Sequence, residues 1–323
     1  MNYFKNKQIL KKSTNMRLAY IIHAYRDAQQ LNRLISSLDY NADFFLHVNS
    51  KADISPFYDL LASKKNVFFT KERFFVNWGS FSQVIVQMEL LSNVFNSGNS
   101  YERIVCLSGL DYPIWPMERI INEFELNKSK QFIMGYNLSK TRNRNQIEKI
   151  TIYHFFRDLK VKNLMIKQFL CGTSRLIMRI LPFRKQKQVV ITGVLKDVYM
   201  GSDFWSLTYD CAKFVYDTIC NEHSLMDFFR FAYVPSEMCV QTIVFNSEFS
   251  KDTIPFYNED YNGLNNLTPL HYIEYGKDIK IFDESDYNTL IKSGKMFFRK
   301  AATGKSDKLI SMIDKYRSDQ FSS

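Results

Sequence analysis

Apolar residues along the chain fall into short blocks whose spacing alternates between strand-like and helix-like. Met16–His23 (M-R-L-A-Y-I-I-H) is nearly continuous in apolar character, the pattern of a strand covered on both faces. Leu31, Leu34 and Ile35 then recur on one face of an otherwise polar stretch, which predicts a helix over about 27–38. Phe44–Val48 (F-F-L-H-V) predicts a second strand, ended by the polar turn Asn49-Ser50-Lys51, and Val67–Thr70 a short third. This β-α-β-β opening predicts an α/β fold with a parallel sheet, and ligand groups at the carboxyl ends of its strands.

Asn77–Val84 (N-W-G-S-F-S-Q-V) leads into a predicted helix ending near Phe95, and Arg103–Leu107 (R-I-V-C-L) is another buried strand. The loop after it, S-G-L-D-Y-P-I over Ser108–Ile114, places small residues and then Asp111 where such sheets meet ligands. Asp111 either binds sugar hydroxyls or fixes the loop through an Asx turn. Ser139–Phe156 is polar and predicts a flexible loop beside a cleft. Gly201–Leu207 (G-S-D-F-W-S-L) predicts a loop entering a strand. In it Ser202, Asp203 and Trp205 either meet a sugar or, in the case of Trp205, pack inward. Helices are predicted over Tyr209–Asn221 and from about Ser306 to Tyr316, with a polar loop over Asn258–Thr268.

Tyr233–Ser247 (Y-V-P-S-E-M-C-V-Q-T-I-V-F-N-S) carries the candidate chemistry. Pro235 and Ser236 form a helix start signal, and Ser236 is placed to cap free backbone N–H groups. Glu237 follows in the first turn, where the helix dipole favours the ionised carboxylate. Glu237 is then either a proton acceptor at the mouth of an apolar helix or merely a favourable first-turn charge.

The basic stretch Lys160–Gln188 interleaves Leu164, Met165, Ile166, Phe169 and Ile180 with lysines and arginines. Two readings fit its pattern. It rests on an anionic membrane face, or it covers the core with its basic side in solvent; the second is the simpler expectation.

Composition narrows the class. The 323 residues are 46% hydrophobic and 15% aromatic, enough for a sizeable core. The net charge of +10 suits an anionic partner. It does not choose among a nucleotide phosphate, a nucleic acid and a membrane. The five cysteines form no C-x-x-C pair, which predicts buried free thiols in a reducing compartment. No run of about 18 apolar residues and no apolar signal core is present, and Met16 is a candidate start preceded by a loose tail over 1–15. No P-loop, G-x-G-x-x-G, H-E-x-x-H or G-x-S-x-G occurs, and no basic stripe with interleaved aromatics argues for nucleic acid.

Taken in order, seven stretches resemble landmarks of the core 2/I-branching β-1,6-N-acetylglucosaminyltransferase family, which has xylosyltransferase relatives. They are A-Y-I-I-H-A-Y-R-D-A-Q-Q-L-N-R-L-I, L-H-V-N-S-K-A-D, V-N-W-G-S-F-S-Q-V, L-S-G-L-D-Y-P-I, G-S-D-F-W-S-L-T, V-P-S-E-M-C-V-Q-T-I and M-F-F-R-K-A. The resemblance implies a GT-A, Rossmann-like fold in which a mixed central sheet is flanked by helices. It implies one domain over 16–323, with a nucleotide-binding half to about 135 and an acceptor half beyond. It also implies a UDP-sugar donor, a glycan or lipid-linked glycan acceptor, inversion at the anomeric carbon, and no metal or other cofactor. The absence of a D-x-D after the strands agrees with the last point.

By the same resemblance Glu237 matches the catalytic base and Lys300, with Arg299 beside it, the support for the departing diphosphate. His23, Asn49, Ser50 and Asp111, at strand ends, would meet the nucleotide or donor sugar. Ser202, Asp203, Trp205 and Trp78 would line the donor and acceptor side. Two positions depart from the family pattern. A diphosphate-binding arginine is replaced by His271, for which Arg299 or Lys277 would substitute, and the acidic residue of I-H-V-D is Asn49. The resemblance further implies a bacterial-type cytoplasmic enzyme of surface-polysaccharide synthesis, peripheral to the inner membrane face.

Overall fold

The computed structural model describes residues 16–161, 163–254 and 267–320. The expected tail over 1–15 and most of the polar loop 258–268 lie outside the described residues. The chain opens with β1 (Leu18–Ala24), α1 (Ala28–Ser37), β2 (Ala42–Val48), α2 (Ser55–Leu61), β3 (Val67–Phe69) and α3 (Ser82–Phe95). It continues through β4 (Arg103–Ser108), β5 (Asp111–Pro113), α4 (Met117–Leu126), β6 (Gly135–Asn137), α5 (Arg144–Thr151) and α6 (Leu164–Ile180). The hairpin of β7 (Gln188–Ile191) and β8 (Val194–Asp197) precedes β9 (Tyr199–Gly201), β10 (Ser206–Thr208), α7 (Tyr209–Asn221) and α8 (His223–Arg230). The last elements are α9 (Cys239–Phe245), β11 (His271–Ile273), α10 (Tyr287–Lys292), β12 (Phe297–Arg299) and α11 (Asp307–Asp319).

The central sheet runs β10-β4-β1-β2-β3, with β1, β2, β3 and β4 parallel and β10 antiparallel on β4. It is therefore mixed, with helices on both faces, as the α/β pattern predicts. Two apolar cores lie on its two sides. One holds Ile21, Phe45, Ile104, Trp205 and α3; the other holds Tyr20, Ile22, Phe44, Leu46, Val105 and α1. Alternation along β1 and β2 sends successive side chains to opposite cores, which is why both strands read as unbroken apolar runs. Arg103 is almost fully buried among carbonyls of Asn127, Lys128, Lys130 and Ser206, and it closes the lower edge of the sheet.

A second sheet, β11-β12-β5, packs beside the first. It is tied to the β1–α1 turn by Asp27. That carboxylate caps α1 by accepting from the Gln30 N–H at 3.0 Å, and it also accepts from the Thr303 N–H at 2.8 Å. The loop just beyond β12, which begins at Lys300, is thereby held against the carboxyl end of β1.

Several sequence expectations are corrected here. The opening contains an additional helix, α2, between β2 and β3; seven residues containing a proline are too short for a helical period to stand out. Residues 139–156 are not a flexible loop but a 3₁₀ turn and α5, capped by Asn143. Pro235–Glu237 is a single 3₁₀ turn ahead of a short α9, and Ser236 makes no capping bond. All five cysteines are free, and four of them are buried.

Gly201 marks where β6 and β9 pair most tightly, because a Cβ added there would meet the Met134 carbonyl oxygen at 2.0 Å. Gly201→Ala is expected to lower unfolding stability by about 1–3 kcal/mol, read by urea denaturation, because backbone on both sides must move.

Candidate active site

A cavity of about 430 Å³ opens at the carboxyl edge of the parallel strands. Its wall includes His23 from the end of β1, Asn49 just past β2 and Ser108 at the end of β4. The strand order reverses between β1 and β4, so the cavity occupies a topological switch point. Trp78, Gln83, Asp203, Ser236, Arg299 and Lys300 also line it.

The cations are placed by one buried carboxylate. Asp111 accepts from the Ser108 N–H at 2.7 Å, from His271 Nε2 at 3.1 Å and from Arg299 Nη1 at 3.1 Å. It is fully buried. Asp111 therefore does not meet a sugar. It fixes the loop after β4 and aims Arg299, whose guanidinium also lies 4.9 Å over the Phe204 ring. β12 ends at Arg299, so Lys300 is released from strand alternation and both side chains reach the cavity. Burial lowers the Lys300 ammonium's pKa, and the positive charges of Arg299 and Arg26 lower it further.

The nearby carboxyls behave differently. Burial pushes Glu237 up to about 8, the neighbouring Asp203 adds to the rise, and the Lys149 ammonium pulls it back. Burial likewise raises Asp203 to about 6, against the Ser236 hydroxyl and the Arg299 guanidinium. The expectation that a helix dipole keeps Glu237 ionised is thus corrected. A helix terminus is worth about 0.3–1 kcal/mol, less than the roughly 1.36 kcal/mol of a single pKa step, so burial and like charge win. Glu237 stands beside the cavity rather than in its wall: the adjacent Ser236 lines it, as does the Asp203 that raises its pKa.

Its loop is held by unusual backbone. Val234 has φ 53°, a left-handed conformation that is costly for a β-branched residue. Gly79 has φ 69°, and an added Cβ would sit 3.1 Å from the Tyr233 ring. That close approach brings the Trp78 loop against the Glu237 loop. The Val234 N–H donates to the Gly79 carbonyl at 3.2 Å, and Trp78, 69% exposed, meets Tyr233 edge-on at 5.7 Å.

Other candidates divide. His23 lines the cavity with Nε2 unpartnered, and burial, then His47, then Arg299, lower its pKa to about 3, so the ring is neutral. Asp203 Oδ1 and Arg299 Nε are also buried in the wall without a hydrogen-bond partner, and such atoms mark a place for a polar ligand. Asn49 lines the cavity, but its amide serves Val76 and the Lys51 N–H.

Five expectations are corrected by burial or direction. Asp111 is a buried anchor. Trp205 is wholly inside the core against the central sheet. Ser202 is buried, with its hydroxyl accepting from the Phe204 N–H and its carbonyl from Gln241. Ser50 is exposed outside the cavity wall. His271 is sealed between Phe204 and Phe297 with Nε2 turned to Asp111, so Arg299 takes its place beside Lys300 in the cavity wall. Lys149 and Lys51 were missed as site residues. Lys149 sat in what read as a loop, and its only signal was charge. Lys51 was visible as the end of the polar turn after β2, and it lines the cavity.

The mixed sheet, with a cavity at its switch point, defines a Rossmann-like α/β protein with a place for a ligand at its strand ends. More particularly, the family model described as Core-2/I-Branching enzyme matches residues 18–258, so the chain belongs to that family, a family of glycosyltransferases. Xylosyltransferase oxt of Drosophila melanogaster is 20% identical over 131 residues, a match spanning 39% of this chain and 15% of that protein. A 4-diphosphocytidyl-2C-methyl-D-erythritol synthase from Anaerococcus prevotii superposes over 86% of this chain and 96% of its own, at 12% identity and a TM-score of 0.36.

Asp111→Ala removes the shared acceptor of Arg299 and His271. It is expected to cost about 3–5 kcal/mol in urea unfolding, as loss of one partner of a buried ion pair does.

Proposed function

We propose that the chain is an inverting, metal-independent glycosyltransferase. It moves a sugar, N-acetylglucosamine in a β-1,6 linkage, from its UDP donor to a glycan hydroxyl. The observation that carries the reading is a carboxyl tuned toward neutrality beside a cavity whose wall carries the two cations Arg299 and Lys300. Such an arrangement suits a single displacement. The acceptor hydroxyl gives its proton to Glu237 while its oxygen attacks C1 of the donor sugar. The bond from C1 to the diphosphate oxygen breaks, its electron pair leaves with UDP, and Arg299 and Lys300 meet the charge that develops there. His23, neutral and unpartnered at Nε2, is available to the nucleoside. Asp203 is available to a sugar hydroxyl, and Trp78 offers an aromatic face at the rim.

A second reading keeps this chemistry with UDP-xylose as donor, favoured by the similarity to a xylosyltransferase. The proposed acceptor is a lipid-linked precursor of surface polysaccharide at the inner face of a plasma membrane, with the enzyme cytoplasmic.

Binding comes first as a test. UDP should raise the thermal unfolding midpoint in the presence of EDTA, and turnover should survive EDTA. A strict divalent-ion requirement would remove the metal-free mechanism.

The base is tested by pH. Its active form is the ionised one, so a pKa near 8 predicts that kcat/KM climbs from about pH 6 and levels above about pH 8. Glu237→Gln should keep UDP affinity, lose about 10²–10⁴-fold in transfer and lose this acid limb. Near-normal transfer by that variant would place the base elsewhere.

A further inference from the structure

Helix α6 lies with its apolar side outward. Met165, Phe169, Leu176 and Ile180 are 76%, 71%, 60% and 77% exposed, and their spacing of four, seven and four residues lines them up along one side of the helix. The inward residues are Lys167, Cys171, Ser174 and Met178. This overturns the expectation that the helix covers the core and turns its basic side to solvent. Among the described residues no helix is long and apolar enough to cross a membrane.

The charge around this stripe is one-sided. Residues 159–196 contain nine lysines and arginines and no aspartate or glutamate, so this segment carries nearly all of the chain's net charge of +10. Part of it is engaged: Arg179 and Arg175 pair with Glu148, and Lys185 bonds the Phe228 carbonyl. Lys160, Arg184 and Lys187 remain exposed.

We infer that α6 is a docking surface for an anionic phospholipid bilayer, lying in the interface plane with its apolar stripe in the acyl boundary and the surrounding cations among the headgroups. Two features together select this occupant. An apolar stripe calls for a hydrocarbon surface, and a segment with no acidic residue calls for a negative one. A second copy of the chain would satisfy the stripe but would set one cationic segment against another. The approach to the helix is tied to the cavity rim. Asp158 accepts from the Ser82 N–H at 3.0 Å, and the Leu159 carbonyl accepts from Asn77 at 3.1 Å. A bilayer at α6 would therefore lie near the mouth of the cavity, which deepens the proposal of a lipid-linked acceptor. The inference itself does not depend on glycosyl transfer.

The test is co-sedimentation of the full chain with vesicles of phosphatidylcholine alone and of phosphatidylcholine mixed with phosphatidylglycerol. Partitioning should be about tenfold or more stronger on the mixed vesicles at low salt, and should weaken as salt rises. A Met165→Glu, Phe169→Glu, Ile180→Glu triple variant should lose binding while keeping its thermal midpoint and its UDP-induced shift, because all three side chains are exposed. Equal binding to both vesicles, no binding to either, or undiminished binding by the triple variant would overturn the inference. So would a dimer in light scattering that the triple variant converts to a monomer. Vesicle binding by a chain that fails to transfer sugar would leave the inference standing and remove only the catalytic reading.

Discussion

A single carboxylate, that of Asp111, joins the parts of this fold that have to agree. It stands where the loop after β4 meets β12 and β11, and it answers a backbone N–H, an imidazole and a guanidinium at once. A buried carboxylate is tolerated only when such partners surround it. The requirement runs in both directions. Arg299 is fixed at the cavity because Asp111, its cross-strand partner in the small sheet, is behind it, and that sheet is joined to the large one where Asp111 accepts from the Ser108 N–H at the end of β4. The Gln30 side chain, donating to the Asp111 carbonyl at 3.1 Å, brings α1 into the same arrangement. Segments far apart in sequence thus converge on one residue.

The electrostatics of the cavity follow from the same burial. Desolvation acts on every charged group, but it acts oppositely on acids and bases. It raises Glu237 and Asp203 and lowers Lys51, Lys149 and Lys300. The result is a cavity whose wall carries the Arg299 guanidinium, held by Asp111, and near it two carboxyls whose pKa values burial raises together. Lys149 matters here because it is the group that opposes the rise of Glu237. Without it the carboxyl would be held still more strongly in the protonated form that cannot accept a proton.

Much of this was legible in the sequence, and the failures share a cause. The strands β1, β2 and β4 showed as apolar runs because both of their faces are covered, and the loops after them were identified as ligand-facing for the same topological reason. Arg299 and Lys300, singled out by motif order, line the cavity, and Glu237 stands beside it. What sequence does not contain is direction. Trp205, Ser202 and Asp111 sit in or beside the correct loops but turn inward, and His271 matched a cation's position while its ring faced a buried acid. Lys149 was missed because α5 is a single short helix in a polar stretch, and only the fold brings it to Glu237. The left-handed Val234 gave no signal at all, since a valine there is the residue that local preference argues against.

The inversion of α6 shows how far direction can depart from pattern. Periodicity locates the two faces of an amphipathic helix but does not say which one the protein covers. Here polar contacts decide it. Asn163 caps the first turn, Arg179 bonds the buried Glu148 at 2.8 Å, and Arg184 ties off the last carbonyls. Glu148 also takes Arg144, one turn earlier on α5, and turning α6 over would take Arg179 away from this buried carboxylate. The outward stripe is left uncovered by the described residues, and rotating the helix inward would break the Arg179–Glu148 pair that helps to hold it.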